Sequence, residues 1–142
     1  MQYNNLIVTT DLSENSSPVL QKAHDLATAF SSKVTLLHVI ELDPAADHIY
    51  VDQEEYRTNI MNHARDRIAE LTESIGLNID DQRIEFGSPR KTILDIAQSI
   101  NADLIVVGSH GRHGLQLLLG STANSVVHSA QSDVFVVRYN EK

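Results

Sequence analysis

The chain has 142 residues, of which 42% are apolar and 21% charged, and it contains no cysteine. This length predicts one domain with a sizeable core, and the lack of cysteine excludes disulfides, thiolate metal sites and cysteine nucleophiles. The formal charge of −8 argues against a surface for nucleic acid or anionic membranes, but it leaves room for one bound nucleotide.

Neither a membrane span nor a signal peptide is predicted. No apolar run approaches the roughly 18 residues that a span requires. The first residues, Met1 to Asn5, lack a basic segment and are followed by a short strand-like run. Together with the missing cysteines, this pattern favours a cytoplasmic protein.

The first half of the chain predicts two strands and two helices. A strand at Asn5–Thr10 is followed by Asp11–Pro18, which is rich in turn and N-cap residues and leads into a helix ending near Phe30. A second strand, Lys33–Ile40, is almost continuously apolar, as expected of a strand buried on both faces. After a polar connection, apolar residues at helical spacing predict a long helix from about Asp52 to Ile75.

Both ends of the long helix carry their own signals. Asp52 and Glu55 have the spacing of a capping box, with Asp in place of Ser or Thr. Gly76 is the type of residue at which helices end. The next segment, Gln82–Phe86, alternates polar and apolar residues and predicts a third strand near the edge of a sheet.

The second half continues the alternation. Ser88–Pro89 predicts an N-cap and the first residue of another helix. Strands are predicted at Asp103–Val107 and Asp133–Arg138, with a helix from Ser121 to about Ser129 between them. Strands that alternate with helices predict an open parallel sheet covered by helices on both faces, and no linker divides residues 1–142.

The segment Leu104–Asn124 has the composition of an anion-binding loop. Glycines at 108, 111 and 114 follow the fourth strand, and Gly120–Thr122 opens the last helix. Glycines let backbone N–H groups approach a ligand closely, and a helix N-terminus favours negative charge. The segment therefore predicts a site for phosphate.

Two other segments are expected to reach the same place. Ligands of open α/β sheets bind beyond the carboxyl ends of the strands, where the strand order switches. Asp11, Val39–Ile40 and Gly108 all lie at strand ends on that side. The sequence thus predicts one crevice formed by three strands.

These features resemble the universal stress protein (UspA) family over essentially the whole chain. The resemblance is carried by Leu-Ile-Val-Thr-Thr-Asp-Leu-Ser at 6–13, Leu-Leu-His-Val at 36–39, Ala-Asp-Leu-Ile-Val-Val-Gly-Ser-His-Gly at 102–111, Gly-Ser at 120–121 and Val-Phe-Val-Val-Arg at 134–138. The family implies a five-stranded parallel sheet in the order 3-2-1-4-5, an adenine nucleotide α-hydrolase-like fold. It also implies a homodimer, commonly paired through the last strand, here Val134–Val137.

The resemblance extends to the glycine motif of the ATP-binding branch of the family. That motif has Gly, two residues, Gly, nine residues, then Gly followed by Ser or Thr, whereas eight residues separate Gly111 from Gly120 here. Gly108 and Gly111 supply the first part and Gly120-Ser121 the second. Gly114 offers the backbone freedom to absorb the shorter loop.

The resemblance also implies a role for each site residue. Asp11 would lie near the ribose or a phosphate-bound Mg²⁺, and Val39 would offer its backbone to adenine. Arg112 and His113 lie where a cationic lid is possible. The expected nucleotide-binding residues, which include the small side chains beside the base and the loop around the phosphates, are Thr9, Thr10, Asp11, Val39, Gly108, His110, Gly111, Arg112, Gly120, Ser121 and Thr122.

Several of these residues also have a purely structural interpretation. Asp11 is common in turns and caps, and Ser121–Thr122 has the composition of a helix cap. No third ligand accompanies His110 and His113, so no metal site is predicted there. His38, within an apolar strand, is expected to be a hydrogen-bonded core residue.

Three functions follow from these alternatives. The leading hypothesis is a stress-response protein that binds ATP, ADP or AMP as a regulatory ligand, without an assigned catalytic residue. The alternative, motivated by the shorter loop, is a dimeric interaction module that binds no nucleotide. The third is an enzyme, either an ATPase or a nucleotidyl-transfer enzyme. Related α/β ATP-pyrophosphatases would show Ser-Gly-Gly-x-Asp-Ser where this chain has Thr9-Thr-Asp-Leu-Ser13, which argues against dedicated catalysis and leaves only slow ATP hydrolysis.

Overall fold

Strands and helices alternate throughout residues 2–42, 53–109 and 119–138, which a computed structural model of the protein describes. The elements are β1 Asn5–Thr9, α1 Ser16–Phe30, β2 Lys33–Ile40, α2 Gln53–Ile75, β3 Asp81–Phe86, α3 Pro89–Ser99, β4 Leu104–Gly108, α4 Ser121–Ser129 and β5 Asp133–Val137. The predicted elements are confirmed, with strand bounds shifted by one residue at most.

One such shift has a clear physical reason. Asp103 was expected to open the fourth strand, but it lies just before β4 and its carboxylate serves β1. Asp103 Oδ2 and Oδ1 accept the backbone N–H groups of Asn4 and Asn5 at 2.9 and 3.0 Å. The side chain therefore fixes the amino ends of two central strands against each other.

All five strands form one parallel sheet in the order β3-β2-β1-β4-β5, which confirms the predicted topology. In the centre, Val8 is in register with Leu36 on one side and Val106 on the other. The strand order switches at β1, so the carboxyl ends of β1, β2 and β4 border the crevice expected of this topology.

Alternate residues of the central strand pack against opposite helical layers, because successive side chains of a strand point to opposite faces. Leu6 and Val8 contact a cluster that includes residues of α1 and α2, whereas Ile7 belongs to a cluster with α3 and α4. All three side chains are fully buried. Helices therefore cover both faces of the sheet, as predicted.

The helix ends are partly as predicted. Gly76 follows α2 at φ +76, which confirms it as the stop, and its N–H donates to the Thr72 carbonyl at 2.9 Å. Ser88 occupies the N-cap of α3 with Pro89 first in the helix. Gly120 occupies the N-cap position of α4, so the interpretation of Ser121–Thr122 as the cap is wrong. Asp52 of the expected capping box lies outside the described residues.

The two edges of the sheet are β3 and β5, again as predicted. On β5, the side chain of Phe135 is 37% exposed, which is unusual for a large apolar residue on a strand. Within the described ranges, no helix combines the length and apolar character needed to cross a membrane.

Candidate functional site

The turn after β1 is organised by hydrogen bonds to one carboxylate oxygen. Oδ1 of Asp11 accepts the backbone N–H of Ser13 at 2.9 Å, the hydroxyl of Ser13 at 2.6 Å and the hydroxyl of Ser16 at 2.8 Å. The interpretation of Asp11 as a turn residue is therefore confirmed, while the N-cap position of α1 belongs to Asn15. Asp11 remains half-buried beside the crevice.

The same turn is also held by two buried hydroxyl groups, those of Thr10 and Ser16, which are hydrogen-bonded in series to Asp11. Thr10 is 8% exposed, and its hydroxyl donates to the hydroxyl oxygen of Ser16 at 2.8 Å, which in turn donates to Asp11. Thr10 Oγ1 also accepts the N–H of Leu12 at 3.0 Å. Because buried polar groups are costly to leave unpaired, these bonds favour a single orientation of the Asp11 carboxylate.

The end of β2 is joined to the end of β1 through His38. Its ring nitrogen Nδ1 lies 2.8 Å from the carbonyl oxygen of Thr10. A carbonyl only accepts, so Nδ1 carries the proton in this contact. His38 is thus a hydrogen-bonded residue as predicted, although it is half-buried rather than deep in the core. The next residue, Val39, is also half-buried and borders the crevice.

The two ends of the glycine loop meet through their backbones. Ser109, which is fully buried, donates its N–H to the Val137 carbonyl at 2.9 Å. Its own carbonyl accepts the N–H of Gly120 at 2.7 Å. The N-terminus of α4 is therefore held against the end of β4. His110, Gly111, Arg112 and the neighbouring His113 and Gly114 lie outside the described residues.

A cavity of about 1070 Å³ opens where these segments converge. Eight of the eleven residues predicted for the nucleotide site are described, and all eight border this cavity: Thr9, Thr10, Asp11, Val39, Gly108, Gly120, Ser121 and Thr122. The expected convergence of three strand ends is thus found, whereas the role of each residue in binding stays a prediction.

Helices α2 and α3 also border the cavity, a contribution that was not predicted from the sequence. Pro89 and Ile93 come from α3, and the α2 residues are Ile60, His63, Ala64, Asp66, Arg67 and Glu70. Positions 60, 63, 64 and 67 share one helical face by their spacing. That spacing was the available signal, since it places the polar residues His63 and Arg67 on the same face as Ile60 and Ala64.

The cavity wall carries charges of both signs. Arg67 on α2 contacts Glu70 at 3.1 Å between Nη1 and Oε2, and its Nε donates to the Leu12 carbonyl at 3.1 Å. The N–H of the same peptide group, which belongs to Ser13, donates to Oδ1 of Asp11. Within residues 2–42, 53–109 and 119–138, no three His, Cys, Asp or Glu side chains form a group that could hold a metal ion.

Comparison with known proteins identifies the family. The model of the universal stress protein family matches residues 2–138. The chain belongs to this family. Universal stress protein A homolog 2 of Coxiella burnetii is 36% identical over 142 residues, which cover 96% of this chain and 95% of the relative. The resemblance predicted from sequence is therefore confirmed.

Solved structures of the family share the fold. Universal stress protein UspA from Lactobacillus plantarum superposes with a TM-score of 0.81 at 27% identity, covering 97% of this chain and 99% of that one. A universal stress protein crystallised in complex with cAMP gives a TM-score of 0.67 at 25% identity, covering 96% and 98%. That relative binds an adenine nucleotide.

Proposed function

We propose that this universal stress protein binds an adenine nucleotide (ATP, ADP or AMP) as a regulatory ligand. One observation carries the proposal, namely the cavity of about 1070 Å³ at the carboxyl ends of β1, β2 and β4. Its volume is slightly above the usual range of small-molecule sites, about 300–1,000 Å³. The cAMP complex of a relative supports the choice of an adenine nucleotide.

The N-terminus of α4 is the proposed contact for phosphate. The N–H of Gly120 is used by Ser109, and the first intrahelical bond runs from the N–H of Asn124 to the Gly120 carbonyl at 2.9 Å. Helix geometry leaves the N–H groups of Ser121, Thr122 and Ala123 without an intrahelical acceptor. These groups, with the helix dipole, would bind a negatively charged phosphate.

The other end of the cavity would receive the nucleoside. Val39 would present its backbone to the edge of adenine, while Thr9 and Thr10 would lie beside the base or sugar and Gly108 would line the ribose. Asp11 would approach the ribose hydroxyls or the metal. His110, Gly111 and Arg112 lie outside the described residues; by the family resemblance they would belong to the same site, and Arg112 would be able to contribute positive charge near the phosphates.

Mg²⁺ would enter with the nucleotide. This ion takes oxygen ligands and is usually held by one or two carboxylates together with phosphates and water. Asp11 fits that pattern, because it provides a carboxylate at the cavity wall near the start of α4. Asp11 is the residue that would hold the ion, which would neutralise phosphate charge.

We propose a binding protein rather than a dedicated ATPase. Hydrolysis requires a base that can accept a proton from water. Oδ1 of Asp11 already accepts three hydrogen bonds from Ser13 and Ser16, so this oxygen is engaged in the turn rather than directed at an attacking water. Any hydrolysis should therefore be slow. We also propose a cytoplasmic location, because a chain without cysteine is typical of a reducing compartment.

Isothermal titration calorimetry with ATP, ADP and AMP, each with Mg²⁺, tests the proposal. Binding of at least one of them is expected below millimolar concentration, with GTP and CTP as controls for the base. The absence of measurable heat and of any shift in melting temperature at several millimolar nucleotide would exclude the proposed function.

A dimeric interaction module without nucleotide is the second candidate, and the exposed edge strand favours it. Phe135 on β5 is 37% exposed, and pairing of Val134–Val137 with a second copy would cover both the side chain and the strand edge. Phe135→Asp should shift the protein from dimer to monomer in analytical ultracentrifugation. Glu85→Lys on the opposite edge strand β3 is the matched control. A dimer that survives Phe135→Asp would exclude this surface.

A further inference from the structure

We propose that Arg67 of α2 is a positioning residue for the nucleotide site and acts through the carboxylate of Asp11. The inference rests on the proposed function, since it concerns nucleotide affinity. It brings in a helix that covers the sheet and lies far from the glycine loop in sequence. Its basis is a short chain of contacts between Arg67 and Asp11.

The first link is the hydrogen bond from Arg67 to the turn after β1. Nε of Arg67 donates to the carbonyl oxygen of Leu12 at 3.1 Å, across 55 positions of sequence. The neighbouring Nη1 contacts Glu70 at 3.1 Å, one turn further along the helix. The guanidinium group is therefore oriented by its own helix towards the turn, and its side chain is 37% exposed at the cavity wall.

The second link is the peptide group between Leu12 and Ser13. Its carbonyl accepts from Arg67, and its N–H donates to Oδ1 of Asp11 at 2.9 Å. A peptide group is planar, so holding the carbonyl also fixes the direction of the N–H on the other side. A cation at the carbonyl further polarises the group and strengthens the bond from its N–H to the carboxylate.

The backbone of Leu12 explains why the turn needs this support. Leu12 has φ 66, a left-handed conformation that is unfavourable for a leucine side chain. Its N–H is held by Thr10 Oγ1 at 3.0 Å and its carbonyl by Arg67 at 3.1 Å. Loss of the Arg67 contact would release the Leu12 carbonyl and weaken the bond from the Ser13 N–H, which is one of the three bonds that orient the Asp11 carboxylate.

A double-mutant cycle on ATP affinity tests the inference in the full-length chain. Arg67→Met keeps the apolar stem of the side chain as far as the position of Nε but cannot donate. Asp11→Ala removes the acceptor through which Arg67 would act. We expect Arg67→Met alone to weaken ATP binding by about fivefold to tenfold. This is the effect expected from the loss of one hydrogen bond, here the bond from Arg67 to the Leu12 carbonyl. In the Asp11→Ala background the same change should weaken binding by less than about twofold.

The matched control is Arg65→Met on the same helix. Arg65 Nη1 donates to Asn62 Oδ1 at 3.1 Å on the exposed face, outside the cavity wall. The affinity of this variant should equal that of the wild type. Circular dichroism and thermal unfolding establish that each variant is folded. If Arg67→Met is unfolded, Arg67→Lys replaces it, because lysine keeps the stem and charge but has no Nε donor.

The outcomes separate this inference from the proposed function. A wild-type chain that binds no nucleotide overturns the proposed function and the inference together. A wild-type chain that binds ATP, with Arg67→Met equally harmful in both backgrounds, overturns only the action of Arg67 through Asp11. An ATP affinity of Arg67→Met equal to that of the wild type would also overturn the role of Arg67 while leaving the proposed function intact. Non-additive effects, with Arg65→Met unchanged, support the inference.

Discussion

The backbone N–H of Gly120 donates to the carbonyl of Ser109 at 2.7 Å, which joins the start of α4 to the end of β4. The bond closes the glycine loop at its base. The one-residue departure from the family's ATP motif falls between these two anchors. The position of the helix N-terminus is therefore set by residues on either side of the shortened segment.

Lengthening the loop by one residue should change nucleotide affinity little. A glycine inserted after Gly114 restores the nine-residue spacing of the motif, and the added closure cost of such a change is only about 0.1 kcal/mol. Because the Ser109–Gly120 bond already holds the anchors, we expect ATP affinity within about twofold of wild type by calorimetry. A gain of more than about tenfold would mean that the shorter loop impairs the site.

Substitution of Gly120 should weaken nucleotide binding without a large loss of stability. Gly120 has φ −61 and ψ 160, a conformation that other residues adopt easily, so Gly120→Val introduces no backbone strain. Its side chain would occupy the space beside the amides of Ser121 and Thr122. We expect at least about a tenfold loss of ATP affinity, measured by calorimetry.

Gly76→Ala is the matched glycine control: it should reduce stability and leave nucleotide affinity unchanged. Gly76 has φ +76, and a Cβ added there would meet open space, so the substitution introduces backbone strain alone. A loss of about 1 kcal/mol in the free energy of unfolding is expected, with unchanged nucleotide affinity. A reduced affinity in Gly76→Ala, or a normal one in Gly120→Val, would contradict the assignment of the phosphate site.

Ser16→Ala should destabilise the fold and weaken nucleotide binding together. Ser16 is 3% exposed, and its hydroxyl connects Thr10 to Asp11 with bonds of 2.8 Å each. Removal of the Ser16 hydroxyl leaves the Thr10 hydroxyl without its acceptor and Asp11 with one donor fewer. The expected loss in the free energy of unfolding is about 1–3 kcal/mol. Urea unfolding measures the loss, with Ser17→Ala on the same helical turn as control. Equal stability of the two variants would contradict the role of the hydroxyl chain.

Much of this site was predictable because strand ends carry strong local signals. Buried apolar runs located β1, β2 and β4, and the parallel topology brought Asp11, Val39 and Gly108 to one edge. The contribution of α2 was not predicted. The sequence shows that Arg67 lies on a helical face, but its contact with Leu12 depends on how α2 packs across the sheet.

The start of α4 shows a second limit of sequence patterns. Serine and threonine usually cap helices, which favoured Ser121–Thr122 as the cap. In the structure Gly120 takes that position, and its N–H bonds to Ser109, a residue eleven positions earlier at the end of β4. A tertiary contact of this kind leaves no local sequence signature.

The far end of the sheet provides a pH-dependent test of the fold. The Tyr3 hydroxyl donates to Asp133 Oδ2 at 2.7 Å, and this hydrogen bond, with a smaller effect of burial, raises the pKa of Tyr3 above its ordinary value of 10.0. A raised pKa means that the folded state favours the protonated form. The resulting stability is fully present below pH 10 and is lost as the pH rises through the folded-state pKa of Tyr3.

Comparison with Tyr3→Phe measures this effect. The difference in free energy of unfolding between wild type and Tyr3→Phe should be constant at neutral pH and decrease above about pH 10. Urea unfolding at several pH values gives the difference, and tyrosine absorbance gives the ionisation. A difference that stays constant through the alkaline range would contradict the hydrogen bond as the cause.

The most direct test of the central claim is a nucleotide titration followed by backbone amide shifts in ¹⁵N-labelled protein. Adenine nucleotide binding in the cavity predicts shifts in Asp11, Val39 and the first turn of α4 at Ser121–Ala123, which border it from different elements. Amides at the amino end of the sheet, such as Asn5, should stay unchanged. Saturable shifts at these cavity residues would support the claim; no shifts with ATP, ADP or AMP, or shifts confined to another surface, would contradict it.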